Sequence, residues 1–307
     1  MSTNYDITII IPCFNEENNI EALTAELNRS LSMMNNVKCE VIFVDDGSVD
    51  GTFERLKQAQ HKGYSSKIIR FSRNFGSHAA MSAGIHASQG LYTTHLAADL
   101  QYSPDVISRL YQKCLEGYDL VRLERESSGD PFLKRMGSKM YAALIRTYVC
   151  PNYPPNGFDV IMFHEKVRNQ IKNHVEANTS ILIRLISMGF KQTGIFGVKV
   201  KRERGKSKWT WQKNIKLLID SFVSFSYIPI RCISLAGLVF LVFGILYLIK
   251  VLFVGETSVQ QIILVVLLMG FGVTNMALGI LGEYVWRTFD AVSPNKAFVI
   301  DSTIELS

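Results

Sequence analysis

Apolar positions along the chain fall into two regimes. Up to about residue 200, short β-branched runs alternate with longer helix-compatible stretches: ITIII (7–11), EVIFV (40–44), KIIRF (67–71), YTTHLA (92–97) and DLVRL (119–123). Such runs predict strands, and their alternation with helical segments predicts an α/β fold, a mostly parallel sheet with helices on both faces. Further on, 232–254 carries one charge, Lys250, and 262–282 carries none. At about 1.5 Å per residue each run can cross a hydrocarbon core of roughly 30 Å. Two buried core helices are the alternative. Runs joined only by 255–261 leave no polar face for water, however, which favours a transmembrane hairpin.

Two more segments interleave Lys and Arg with aromatic and aliphatic residues, 132–149 and 209–227. Both predict amphipathic helices of the kind that lie in a membrane interface, with ordinary surface helices as the competing reading. Trp209 and Trp211 beside Lys208 and Lys213 favour the interface for the second. Basic residues from Arg202 to Arg231 precede the first run, Arg287 and Lys296 follow the second, and the connecting loop carries only Glu256. By the positive-inside rule both ends of the hairpin are expected in the cytoplasm. The expected organisation is a catalytic domain over 1–208, an interface helix over 209–227, the hairpin within 228–290 and a cytoplasmic tail over 291–307.

Charge and cysteine content narrow the classes further. Against 27 Asp+Glu stand 33 Lys+Arg, a net charge of +6, which suits phosphorylated ligands, an anionic membrane surface or nucleic acid. The 5 cysteines have no C-x-x-C spacing, so neither a zinc site nor a disulfide framework is indicated. The N-terminus lacks the basic and apolar regions of a signal peptide, so export of the first domain is not expected.

In an open parallel sheet ligands bind beyond the carboxyl ends of the strands. There the chain places Pro12, Asn15 and Glu16, then Asp45, Asp46 and Gly47, then Arg73, Asn74 and Gly76, then Asp99 and Gln101. Taken singly, Asp45-Asp46-Gly47 reads as a turn and Glu16 as a first-turn carboxylate complementing a helix dipole. Their joint placement argues for a site. Neither a G-x-G-x-x-G fingerprint nor a G-x-x-x-x-G-K-[ST] loop is present, which speaks against a nicotinamide dehydrogenase and a P-loop NTPase.

In order along the chain, IIIPCFNEENNI, VIFVDDGSVDGT, FSRNFGSHAAMSAG and ADLQYSP resemble a family 2 glycosyltransferase of GT-A fold. RERGKSKWTW, LGILGEYVWR and the hairpin are similar to the bactoprenol-phosphate glucosyltransferase and dolichol-phosphate mannose synthase branch. The resemblance implies a nucleotide-sugar donor, a UDP-sugar before a GDP-sugar, with Pro12, Asn15, Glu16, Asp45, Asp46, Asn74 and Gly76 around it. It implies that Asp99 and Gln101 hold Mg²⁺ or Mn²⁺ on the diphosphate, a hard cation suited to oxygen ligands. It also implies a membrane enzyme, tetrameric packing of the hairpins and no nucleic-acid partner. Two positions depart from the family pattern: Ala97 stands where the first Asp of Asp-x-Asp would be, and Asn156-Gly157-Phe158-Asp159 replaces Gly-Asp-Phe-Arg.

For a polyprenyl-phosphate acceptor the attacking oxygen is already anionic, so cations to place it matter more than a base. Arg122, Arg125, Arg135 and Lys208 are the candidates. The expected reaction is an inverting displacement at the anomeric carbon on the cytoplasmic face. A second reading glycosylates a hydroxyl of a lipid-linked saccharide, with Asp159 as the conceivable base. A membrane adaptor that has lost catalysis and an accessory role in transport complete the alternatives.

Overall fold

The computed structural model describes residues 4–126, 132–148, 150–172, 181–200 and 298–306, with scattered positions between 263 and 288. The chain divides into two compact units, 1–214 with 295–307, and 215–294.

In the first unit the expected strands form with small shifts of boundary: β1 (Tyr5–Cys13), β2 (Cys39–Asp45), β3 (Ser65–Phe71), β4 (Gly90–His95) and β5 (Leu120–Arg125). Helices α1 (Ile20–Ser32), α2 (Thr52–Gln58), α3 (Ser77–Ala87) and α4 (Val106–Leu115) connect them. α5 (Phe132–Tyr148) then occupies the first predicted amphipathic segment. Beyond it come β6 (Phe158–His164), α6 (Glu165–Lys172), α7 (Ile181–Ser187), β7 (Gln192–Gly197) and β8 (Ile300–Leu306). The sheet runs β7-β5-β6-β4-β1-β2-β3-β8. β6 is antiparallel to both β4 and β5, β8 is antiparallel to β3, and the remaining pairings are parallel.

Burial explains why β1 and β2 lie in the middle. Ile7, Ile9, Ile11, Val41 and Phe43 are fully buried on one face, packed with Leu23 and Leu27 of α1 and Leu110 of α4. Each such side chain contributes roughly 1.5–3 kcal/mol relative to exposure. Ile10, Ile42 and Val44 are buried on the opposite face of the same strands. A strand covered on both sides must read as a continuous apolar run, as these do.

Residues 291–307 were expected as a tail, and their end instead completes the sheet. β8 pairs with β3 from Ser66↔Leu306 to Phe71↔Ile300. Phe298 stacks on Phe71 with centroids 5.1 Å apart and planes 9° from parallel. Ile304 and Leu306 pack against the core, whereas Asp301, Thr303 and Glu305 face out. Outward charges on an edge strand discourage pairing with another chain.

In the second unit, the described positions between 263 and 288 are helical and include exposed Ile263, Val266, Leu267, Leu278, Leu281 and Val285. Among the described residues no helix is long and apolar enough to cross a membrane. The predicted span 232–254 and interface helix 209–227 lie outside the described residues, and 262–282 is described only in part.

Removing the Phe298 ring should cost about 1–2 kcal/mol, the loss of a half-buried aromatic and its stacking partner. Glu305→Gln, which removes a solvent-exposed partner of Lys67, should leave the denaturation midpoint unchanged. Urea denaturation of Phe298→Ala and Glu305→Gln beside the parent chain tests the contrast. Equal midpoints for all three would mean that the stack does not hold β8 in place.

Candidate active site

The chain steps from β1 outward to β2 and β3, then crosses back to β4 on the other side of β1. That reversal opens a crevice at the carboxyl ends of β1 and β4, the place where open α/β sheets bind ligands. The loops following β1, β2, β3 and β4 meet there, and polar contacts join the first three.

Asn15, in the left-handed region at φ +51°, fastens the first loop to the second. Its backbone N–H donates to Ser48 Oγ at 2.9 Å, and its Oδ1 accepts the Val49 N–H at 3.0 Å. The Glu16 N–H donates to Thr52 Oγ1 at 2.8 Å, while Glu16 Oε2 accepts from Asn19 Nδ2 at 2.6 Å. Glu17, which the motif reading passed over, accepts the Gly51 N–H at 3.1 Å.

Asp45 and Asp46 were expected to line the nucleotide pocket, and the structure gives their carboxylates other work. Asp45 is 0% exposed. Its Oδ1 accepts the Ser48 N–H at 3.1 Å and its Oδ2 lies 3.5 Å from Arg70 Nε, so it supports the loop from below. Asp46 turns both oxygens to the third loop, accepting the Phe75 N–H at 2.7 Å and the Gly76 N–H at 2.9 Å. Burial pushes both carboxyls above the usual carboxylate range, and these hydrogen bonds only partly offset it. Gly47 brings the second and third loops into backbone contact. It has φ +66°, and a Cβ there would lie 2.3 Å from the Arg73 carbonyl carbon. Gly76, at φ +99°, caps α3, and Asn74 is exposed beside it. Pro12 is half-buried in β1 opposite Val44.

Across the crevice, Asp99 and Gln101 are both half-buried in the loop after β4, which hangs beside β1 through the Leu96 N–H to Ile10 O hydrogen bond. Leu100 between them adopts φ +54°, unusual for a branched side chain, and the Gln101 N–H donates to Asp99 Oδ1 at 3.3 Å. Ala97 is exposed. One carboxylate and one amide oxygen fit Mg²⁺ or Mn²⁺ if substrate phosphates and water complete the shell. Among the described residues no group of three or more His, Cys, Asp or Glu side chains could hold a metal ion unaided.

The expected acceptor cations separate. Arg122 is buried on β5, donating to Gln192 Oε1 and to Glu124 Oε1, which removes it from the candidate set. The side chain of Arg135 and the whole of Lys208 lie outside the described residues. Arg125 reaches the site, where it is paired with Asp159. Lys199 and Tyr102, which the motif reading missed, bind the same carboxylate. Lys199 Nζ lies 3.1 Å from Asp159 Oδ2, and the Tyr102 hydroxyl donates to it at 2.9 Å. The adjacency of Tyr102 to Gln101 was the available signal.

Asp159 was the conceivable base of the hydroxyl-acceptor reading, and its surroundings rule against that role. Burial alone would raise its pKa, but the Arg125 hydrogen bonds and charge, then Lys199 and Tyr102, hold it at about 2. A group with so low a pKa is a poor proton acceptor at neutral pH.

Two consequences can be measured. Gly47→Ala forces alanine into a left-handed conformation and against a backbone carbon, so it should cost about 2 kcal/mol or more and weaken nucleotide binding. Denaturation and calorimetric titration with UDP check this, and an unchanged midpoint would refute the close approach. The Asp159 carboxyl lies below its unfolded value of about 4, so the stability it adds, about 2 kcal/mol, is present above that pH and lost as pH falls toward 2. Asp45 and Asp46, shifted upward, do not share this acid sensitivity. The stability gap between the parent chain and Asp159→Asn should therefore shrink between pH 6 and pH 2. A gap that stays constant would mean that the carboxylate is not held in its charged form.

Comparison with known proteins finds relatives along nearly the whole chain. A glycosyltransferase of Synechocystis described as uncharacterized is 33% identical, covering 96% of this chain and 94% of its own. The undecaprenyl-phosphate 4-deoxy-4-formamido-L-arabinose transferase of Proteus mirabilis is 28% identical over 97% of this chain and 94% of its own. Among solved structures, glucosyl-3-phosphoglycerate synthase from Mycobacterium tuberculosis, in complex with Mn²⁺, UDP and phosphoglyceric acid, shares the fold. It aligns with TM-score 0.50 at 15% identity over 72% of this chain and 77% of that one. The family model described as "Glycosyl transferase family 2" matches residues 8–184, and this chain belongs to that family.

Proposed function

We propose that this glycosyltransferase moves a sugar from a nucleotide-sugar, a UDP-sugar by preference, to a polyprenyl phosphate at the cytoplasmic face of the plasma membrane. The observation that carries the acceptor class is the state of Asp159. A hydroxyl acceptor needs a proton taken from it, and the carboxylate suited to that task is already committed to Arg125, Lys199 and Tyr102. A phosphate acceptor arrives as an anion and needs only orientation and cations, which Arg125 and Lys199 supply. The Proteus mirabilis relative, named as acting on undecaprenyl phosphate, supports the same reading.

Pro12, Asn15 and Glu16 would border the nucleotide, with Asn74 and Gly76 beside them and Asp45 and Asp46 holding the loops in place. Asp99 and Gln101 would hold Mg²⁺ or Mn²⁺ on the diphosphate. When bound, that cation offsets charge on the departing nucleoside diphosphate. The Mn²⁺ and UDP in the mycobacterial structure support this donor chemistry.

The membrane part of the proposal rests on the runs 232–254 and 262–282 and on the exposed apolar helical positions between 263 and 288. β7 and β8 belong to one sheet, so any membrane excursion between them must cross an even number of times, as a hairpin does. Tetrameric packing of such hairpins is part of the same proposal.

A donor screen scored by nucleoside diphosphate release, with and without undecaprenyl phosphate, tests the reading. Release should depend on the lipid phosphate for one donor, with a chloroform-soluble product. Asp99→Ala should lower transfer about 100-fold or more, whereas Ala97→Asp should alter metal or donor preference in an already active enzyme. Lipid-independent release across all donors, or full turnover by Asp99→Ala, would overturn it.

A further inference from the structure

We propose that Asp159 is a positioning residue, a hub that sets the Asp99–Gln101 loop and the cations Arg125 and Lys199 at a fixed spacing, so that donor diphosphate and acceptor phosphate meet in register. The acceptor half of this inference rests on the reading above.

The geometry begins with a β-bulge. Along β5 and β6, Leu123 pairs with Val160 and Glu124 with Phe158, so Asp159 opposes no residue. A bulge re-aims the extra side chain, often beside an active site. Freed from the ladder, Asp159 uses both its backbone and its side chain to grip the loop after β4. Its carbonyl oxygen lies 2.9 Å from His95 Nε2, at the end of β4, and its Oδ2 accepts the Tyr102 hydroxyl at 2.9 Å. Residues 96–101, which include Asp99 and Gln101, are thereby tied to Asp159 at both ends. The ties are protonated where they need to be. Burial holds His95 neutral, at about 4, so its Nε2–H is assigned as the donor, and facing a carboxylate oxygen the Tyr102 hydroxyl is the donor of its pair.

The other side of the hub is cationic. Arg125 donates from Nε to Oδ2 at 2.8 Å and from Nη2 to Oδ1, and Lys199 Nζ approaches Oδ2 at 3.1 Å. With Tyr102, four donors converge on the one carboxylate, three at Oδ2 and one at Oδ1. Lys199 comes from the chain just beyond β7, where the Val200 N–H also donates to Gln101 O at 2.9 Å. Three chain segments are thus held by one side chain: the end of β5, the loop after β4 and the exit from β7. Tyr153 also lies close enough to feel the Asp159 charge.

The test uses the full-length chain in detergent and two independent readouts. One is the gain in UDP affinity on adding Mn²⁺, measured by calorimetry without acceptor. The other is the KM for undecaprenyl phosphate. Asp159→Asn should reduce the first and raise the second, each about tenfold or more, while UDP affinity without metal stays unchanged. Tyr102→Phe should reduce only the Mn²⁺-dependent gain. Lys199→Met should raise only the acceptor KM, and Lys199→Arg should restore it. Asp159→Asn that lowers kcat alone, by a factor that shrinks as pH falls and the parent's carboxylate takes up its proton, would make Asp159 a base and overturn the proposal. Equal losses in both readouts for every variant, tracking a lower melting temperature, would also overturn it by reducing the cluster to structural support. If the parent chain makes no lipid product, the acceptor reading fails, and the calorimetric arm still decides whether Asp159 sets the loop.

Discussion

The site depends on β1 lying between β2 and β4. Because the chain turns outward through β2 and β3 and only then crosses back, the loops that follow these strands face one another across a single crevice. Apolar burial enforces the arrangement: β1 and β2 are covered on both faces and cannot move to an edge without exposing Ile7, Ile9, Ile10 and Phe43. The polar residues at the strand ends are consequently delivered by a scaffold whose stability lies elsewhere. This allows the loops to keep left-handed residues such as Asn15 and Leu100.

Three aspartates near the crevice show how environment divides the labour of one side chain. Asp45, Asp46 and Asp159 are all largely withdrawn from water, a costly place for a charge. Asp46 is compensated by two backbone N–H groups, Asp45 by the Ser48 hydroxyl and N–H and by the nearby Arg70, and both remain shifted upward. Asp159 has a guanidinium, an ammonium and a phenol, and is shifted downward. The first two fix loop shape mainly through neutral donors, with Arg70 beside Asp45. The third gathers cations, and its charge is what holds them.

The β-branched runs made five strands legible, and the residues after them located the crevice. β6, β7 and β8 escaped for a physical reason. β6 enters antiparallel between β4 and β5, a pairing no local pattern announces, while β7 is short and carries two glycines, and β8 reads as a polar-apolar alternation in what looked like a tail. Side-chain direction was equally invisible. The Asp45-Asp46-Gly47 motif located its loop correctly, but whether a carboxylate faces a ligand or a neighbouring N–H is decided by backbone geometry far along the chain. Arg122 and Arg125, three residues apart on one strand, illustrate the limit: one is bound to Gln192 and Glu124 away from the crevice and the other reaches it.

The return of β8 to the edge of β3 also orders events in the cell. The Ser66 hydroxyl donates to Leu306 O across 240 residues of chain, so that edge of the sheet stays open until residues 300–306 have left the ribosome. Closing so long a loop costs little more in entropy than closing a shorter one, but it must wait for everything between to be synthesised. An uncovered β3 edge in the nascent chain is a template for mispairing. Completion of the catalytic unit therefore waits for β8, and a ribosome that stops before it leaves a protein with its core built and one flank unsealed.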